Sequence, residues 1–194
     1  MLFRSPANHP LIVHIADWQQ MGDWVSEVPD YAIDLARAGA ETVLLGRSQE
    51  SLLSTIASIS SVGTTPQTII CDLSNVSSSR NEISGLSALG IDILVNNAGS
   101  ITRAPAIQTS IEDWRRIIEI NLNSVFEITQ SVASSMLQKK SGAIINIASL
   151  LSFQGGINVP AYTASKHAIA GLTKSLANEW GASGVRVNAI APGY

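Results

Sequence analysis

Cysteine is almost absent. Cys71 stands alone in 194 residues, so no internal disulfide can form and a reducing compartment fits the chain. Charge is also scarce, at 14% of residues with a formal net charge of −3. Lys and Arg are scattered, with only Arg115-Arg116 and Lys139-Lys140 adjacent. A nucleic-acid partner needs a concentrated basic face, and none is encoded. His9, His14 and His167 do not cluster, so no metal site is expected. The apolar run Leu11–Ala16, broken by His14, is too short and too polar for a membrane span or a signal-peptide core. These absences point to a soluble, cytoplasmic protein.

What is present is apolar. Hydrophobic residues make up 45% of the chain, enough for a sizeable core. Six short runs rich in Val, Ile and Leu read as strands: Leu11–Ile15, Thr42–Leu45, Gln67–Cys71, Ile91–Val95, Ala143–Ile147 and Arg186–Ala189. They do not alternate, which is the pattern of parallel strands covered on both faces. Helical spacing lies between them. Ala32, Leu35 and Ala36 share a face before a stop at Gly39. Ser110 reads as an N-cap for a helix with Trp114, Ile117, Ile118 and Leu122 on its apolar side. Ala161–Trp180 forms a longer helix, and Ser74–Ser79 a loop. Strands alternating with helices predict an α/β fold, a Rossmann-like doubly wound parallel sheet in one domain over residues 1–194.

The chemistry begins with Tyr162 and Lys166, four residues apart and hence on one face of a helix. A free phenol is a poor base at neutral pH, but a neighbouring cation favours the phenolate and lets Tyr162 exchange a proton with an alcohol or carbonyl. The same spacing also occurs on ordinary solvated helices. Upstream, Gly142–Ile147 reads as a strand that delivers Ser149 to the carboxyl end of the sheet, where open α/β sheets place ligands. There its hydroxyl can donate to a substrate oxygen or cap a turn. Ile91–Val95 similarly runs into Asn96-Asn97-Ala98-Gly99, small and amide residues that let a ligand approach the backbone. That segment is alternatively an Asn-rich turn.

Together, Asn96-Asn97-Ala98-Gly99, Asn121, Ser149, Tyr162, Lys166 and Pro192-Gly193 resemble the short-chain dehydrogenases/reductases in order and spacing, over residues 35 to 194. The resemblance implies hydride transfer between NAD(P) and a secondary alcohol or ketone. It makes Tyr162 the acid/base, Ser149 the group that polarises the substrate oxygen, and Lys166 a modulator of Tyr162 and holder of the nicotinamide ribose. Asn121 would anchor a water in a proton relay. Asp72 would touch the adenine, Asn96, Ala98 and Gly99 would line the cofactor site, and Ile190, Pro192 and Gly193 would flank the nicotinamide. Within the family, Ser149–Trp180 and Arg103-Ala104-Pro105 resemble the 2-deoxy-D-gluconate 3-dehydrogenases, also called 2-keto-3-deoxygluconate 5-dehydrogenases. The substrate implied is a sugar acid, or else a secondary-metabolite ketone. Arg103 could then pair with a substrate carboxylate, or serve as a solvated loop arginine. The resemblance also implies a homotetramer, with Ala161–Trp180 in the interface.

Two departures stand out. The family's Thr-Gly-x-x-x-Gly-x-Gly turn should fall on Met21–Val28, where only Gly22 matches. Ser26 and Val28 bring a Cβ toward the phosphates, Asp23, Glu27 and Asp30 add negative charge, and Pro29 removes an N–H donor. Residues 1–30 are therefore atypical, and weak cofactor affinity is expected. The first strand should be Leu11–Ala16, with a long irregular loop after it. The chain also stops at Tyr194, directly after a strand and before the family's substrate-closing segment. An inactive relative acting at most as an oligomerisation partner, or a faulty gene model, is the alternative. Arg47, after the second strand, suits the 2′-phosphate of NADP and tilts the choice from NAD to NADP, with a surface arginine as the competing role.

Overall fold

The structure, a computed structural model, describes the backbone of residues 10–14 and residues 34 and 36–192. Six parallel strands form one sheet: β1 (Pro10–His14), β2 (Glu41–Gly46), β3 (Gln67–Ile70), β4 (Ile93–Asn96), β5 (Gly142–Ile147) and β6 (Val185–Ile190). Their order is β3-β2-β1-β4-β5-β6. β1 pairs with β2 on one side and β4 on the other, so the strand order reverses there. In doubly wound sheets that switch point opens the crevice that holds ligands at the carboxyl ends of the strands. The connections are α1 (Gln49–Ser60), α2 (Arg80–Gly85), α3 (Ile111–Ile118), α4 (Ser124–Lys139) and α5 (Pro160–Trp180).

Helices cover both faces, as expected for parallel strands. Val43, Leu45, Leu94 and Ile144 pack with Ile128, Val132 and Met136 of α4 and Leu176 of α5. On the opposite face Leu44 and Val95 meet Leu52 and Ile59 of α1. The two edge strands depart from the expected double burial. Gln67 and Ile70 of β3 are exposed, as are Arg186, Asn188 and Ile190 of β6. A strand with one neighbour has less of its surface covered, and β6 compensates with an alternating sequence that turns Val185 and Val187 inward.

Local signals explain most boundaries. Ser110 caps α3, its hydroxyl accepting from the Asp113 N–H at 3.0 Å. Trp114 is partly exposed, however, and Leu122 lies beyond α3, so the apolar face expected there is carried mainly by buried Ile117. Gly39, with φ 87°, ends its turn as expected. Gly184, with φ 80°, is required at the entry to β6, because a Cβ would stand 2.2 Å from the Lys140 carbonyl oxygen. β4 starts two residues later than expected and continues into Asn96, because Asn96 pairs in register with Asn146 of β5. Ala32 and Leu35 of the expected early face and the whole Met21–Val28 segment with Gly22 lie outside the described residues, as do Gly193 and Tyr194.

Candidate active site

Three segments converge at the carboxyl ends of β4 and β5: the loop after Asn96, the turn after Ile147, and the first two turns of α5. Pro160 starts α5, and its ring lacks only an N–H that has no partner at a helix start. Tyr162 and Lys166 then fall on one face, with the Lys166 Nζ 5.5 Å from the centre of the Tyr162 ring. The Lys166 side chain is buried, and Nζ donates to the Ile147 carbonyl at 2.6 Å. Removal from water lowers this ammonium from its ordinary 10.5 to about 8. The cation is thus held at the end of β5 by backbone, beside a phenol.

Asn121 is 1% exposed and sits in a π-helical turn, Glu119–Asn123, between α3 and α4. There the Ser124 N–H reaches back five residues to the Glu119 carbonyl. Such widened turns recur at functional sites because they push one residue out of helical register. The Asn121 amide clamps Ser100 at both backbone atoms: Oδ1 accepts from the Ser100 N–H at 2.8 Å and Nδ2 donates to the Ser100 carbonyl at 2.9 Å. Nδ2 also donates to the Ser165 hydroxyl at 3.1 Å, and Ser165 in turn donates to the Tyr162 carbonyl at 2.7 Å. Asn121 is therefore a strut between the β4 loop and α5. Gly99 lies against the same groups. A Cβ there would stand 3.6 Å from Asn121 Oδ1 and 3.9 Å from Lys166 Nζ.

Ser149 takes the capping role. Its hydroxyl oxygen accepts from the Leu151 N–H at 3.1 Å, capping a short turn, and this bond leaves the hydroxyl proton to be donated. Ser152, which sequence reasoning missed, fixes Ser149 relative to α5. Its Oγ accepts from the Ser149 N–H at 3.2 Å and donates to the Lys166 carbonyl at 2.8 Å.

Beneath these residues runs a buried polar chain. Asn96 Nδ2 donates to Thr129 of α4 at 2.9 Å and to Asn146 Oδ1 at 2.8 Å. Asn146 Nδ2 donates to Thr173 of α5 at 2.9 Å. Asn96 is thus an interior tie whose Oδ1 has no partner among the described residues. The signal for Asn146 was available, a lone amide inside the apolar run Ala143–Ile147. Asn146→Leu removes one of two hydrogen bonds from Asn96 Nδ2, which keeps Thr129, and one from the Thr173 hydroxyl, which keeps the Ile169 carbonyl, and its stability in urea unfolding is expected to fall by roughly 1–3 kcal/mol.

The other sequence candidates sit around this centre. Asp72 follows β3, and its Oδ1 accepts from the Ser74 N–H and hydroxyl at 2.9 and 2.7 Å. Arg47 follows β2 and is exposed. Ala98 is buried in the loop after β4, and Pro192 is exposed just past β6. Arg103 is exposed on the loop after Gly99, where the next residue, Ala104, donates its N–H to the Asn158 carbonyl at 2.8 Å. His167 is exposed beside the site, its Nδ1 3.0 Å from the Thr163 carbonyl. Among the described residues no cluster of His, Cys, Asp and Glu could hold a metal ion. Nor is any described helix long and apolar enough to cross a membrane.

Comparison with known proteins follows the same lines. The chain is 52% identical over 161 residues to the 2-dehydro-3-deoxy-D-gluconate 5-dehydrogenase of Bacillus subtilis (strain 168), which covers 82% of this chain and 63% of that protein. It is 42% identical over 173 residues to the enzyme of that name from Escherichia coli (strain K12), covering 84% of this chain and 65% of the relative. The chain thus spans slightly under two thirds of these relatives' length. Among solved structures, a gluconate 5-dehydrogenase from Burkholderia cenocepacia J2315 in complex with NADP and tartrate superposes with a TM-score of 0.80 at 31% identity, over 98% of this chain and 72% of that one. The short chain dehydrogenase family profile matches residues 29–194. With the site geometry and these matches agreeing, the chain belongs to the short-chain dehydrogenase/reductase family.

Proposed function

We propose that the protein transfers hydride between NADP, or NAD, and a secondary alcohol or ketone of a sugar acid of the gluconate type. The observation that carries this reading is the buried Lys166 ammonium held 5.5 Å from the Tyr162 ring, with Gly99 leaving space against it. The described residues suit the nicotinamide half of a dinucleotide, whereas the sequence at Met21–Asp30 suits its phosphates poorly and keeps weak affinity as the expectation. The sheet reverses its order between β1 and β4, and the buried Lys166 cation lies within van der Waals reach of where a Gly99 Cβ would stand. Lys166 would hold the nicotinamide ribose, and Asn96, Ala98 and Gly99 the neighbouring part of the cofactor. Asp72 would meet the adenine, Arg47 the 2′-phosphate, and Pro192 with Gly193 the nicotinamide. Gly22 would approach the pyrophosphate.

Bound there, the nicotinamide supplies or accepts the hydride, and the proton steps fall to the chain. In the reducing direction Ser149 donates a hydrogen bond to the substrate carbonyl oxygen. Tyr162 gives its proton to that oxygen as negative charge develops, becoming a phenolate that the Lys166 cation favours. The phenolate regains a proton from solvent, and oxidation runs these steps in reverse. Arg103 pairs with the substrate carboxylate. The chain acts in the cytoplasm as a homotetramer built on α5, where exposed Gly171 has open space around it and permits close helix approach.

The test is to titrate the protein with NADPH and NADH by fluorescence and assay turnover of 2-dehydro-3-deoxy-D-gluconate with each. NADPH binding and turnover are expected, with Arg103→Met raising KM for the sugar acid while the cofactor Kd stays unchanged. A folded chain that binds neither nucleotide overturns the reading. It would favour the inactive relative instead, which the acidic residues at Asp23, Glu27 and Asp30 support at the level of sequence.

A further inference from the structure

We propose that Arg116, on α3, is a positioning residue that sets the Asn121 strut through Ser100. The inference rests on the hydride-transfer reading and adds a residue outside the family motifs to that site. Its guanidinium forks onto the loop that follows Gly99. Nη1 donates to the Ser100 hydroxyl at 3.2 Å and Nη2 to the Thr102 hydroxyl at 2.7 Å. Nη2 also donates to Asp113 Oδ1 at 3.1 Å.

The two ends of this connection differ in what holds them. On the helix side, Asp113 also accepts from the Ser110 hydroxyl, the cap of α3. The Arg116 hydrogen bond, followed by that of Ser110, holds the Asp113 carboxyl below its ordinary value. On the loop side, Ser100 is 3% exposed and is the residue whose N–H and carbonyl the Asn121 amide grips. Arg116 thus binds the side chain of a residue whose backbone is bound by Asn121. From Asn121 the connection continues through Ser165 to the Tyr162 carbonyl. A planar fork with fixed donors can orient two hydroxyls at once, and an ammonium cannot reproduce that geometry.

The deciding experiment is Arg116→Met in the full chain, with three readouts. First, kcat is expected to fall roughly ten- to a hundredfold, as for a displacement of about 1 Å in a reacting group, with the NADPH Kd unchanged. Second, the Ser100 amide should exchange faster with solvent, and the Asn121 side-chain amide signal should move in 15N spectra. Third, Arg116→Lys should recover thermal stability through the Asp113 pair without recovering kcat. Arg115→Met removes the same charge from the neighbouring exposed position and should change none of these. Full kcat in Arg116→Met overturns the proposal, as does an unchanged Ser100 exchange rate. If the wild-type chain shows no turnover, the hydride-transfer reading fails, while the exchange and 15N readouts still decide whether Arg116 sets Asn121. If Arg116→Met does not fold, Ser100→Ala removes the same Nη1 bond, and its effect on the Asn121 signal decides.

Discussion

Tyr162→Phe is expected to lower kcat by roughly a hundredfold to ten-thousandfold while NADPH still binds, the range for loss of a positioned acid/base. The substitution removes one oxygen and leaves the ring, so the packing of α5 against the β5 turn survives. The Ser165 and Ser152 bonds that fix this stretch reach the Tyr162 and Lys166 carbonyls rather than the phenol. The reaction still requires a proton on the alkoxide oxygen, and Ser149 alone is a much weaker acid. Steady-state turnover with the sugar acid, alongside fluorescence titration of the nucleotide, separates loss of chemistry from loss of binding. Turnover equal to wild type would remove Tyr162 from the mechanism.

Lys166→Met yields the largest change in the pH dependence of stability. Burial depresses the Lys166 ammonium from 10.5 to about 8, so the folded state gives up this proton before the unfolded chain does. Below pH 8 both states carry the proton, and the full cost of burying charge is present. Between pH 8 and pH 10.5 the unfolded chain holds one more proton than the folded one, so stability rises with pH across that window. At roughly 1.4 kcal/mol per pH unit, the gain approaches about 3 kcal/mol. Lys166→Met should lose that rise. Urea unfolding below, within and above the window, plotted as wild type minus variant, checks it because titrating groups remote from Lys166 cancel, and the same difference in the Tyr162→Phe background removes the one neighbour coupled to it. A flat difference would mean that Lys166 keeps its ordinary value when folded. Turnover should collapse in the same variant, since the phenolate loses its neighbouring cation.

These two residues were legible in the sequence because their relationship is local. A separation of four puts Tyr162 and Lys166 on one helical face whatever else the chain does. The six strands were legible for a related reason. Uninterrupted runs of Val, Ile and Leu between helical segments suit a sheet covered on both sides, and their length fixes them to within a residue or two. Where that expectation erred, at β3 and β6, the cause was position in the sheet, which composition does not encode. Ile70 looks as buried as Ile144 until the strand order places it at an edge.

The supporting residues were not legible. Ser100, Arg116, Ser152 and Ser165 are ordinary surface types in sequence, and each acts through a partner supplied by tertiary contact. The Asn121 amide meets Ser100 across 21 positions and Ser165 across 44. Two faint signals existed. Asn146 is a single amide in an apolar strand, and Ser165 lies three residues after Tyr162 on the inward side of α5.

Sequence by itself determined the alternation of strands and helices, the family, and the Tyr162–Lys166 pair, because hydrophobic runs and helical spacing act over a few residues. Only the tertiary structure decided that Ser149 caps a turn while keeping its proton, and that Asn96 is tied into the core. It also decided that Asn121 braces the loop of Gly99 against α5. Those outcomes depend on hydrogen bonds that close only after the sheet brings distant segments together, where buried polar groups must find partners or incur the full cost of leaving water.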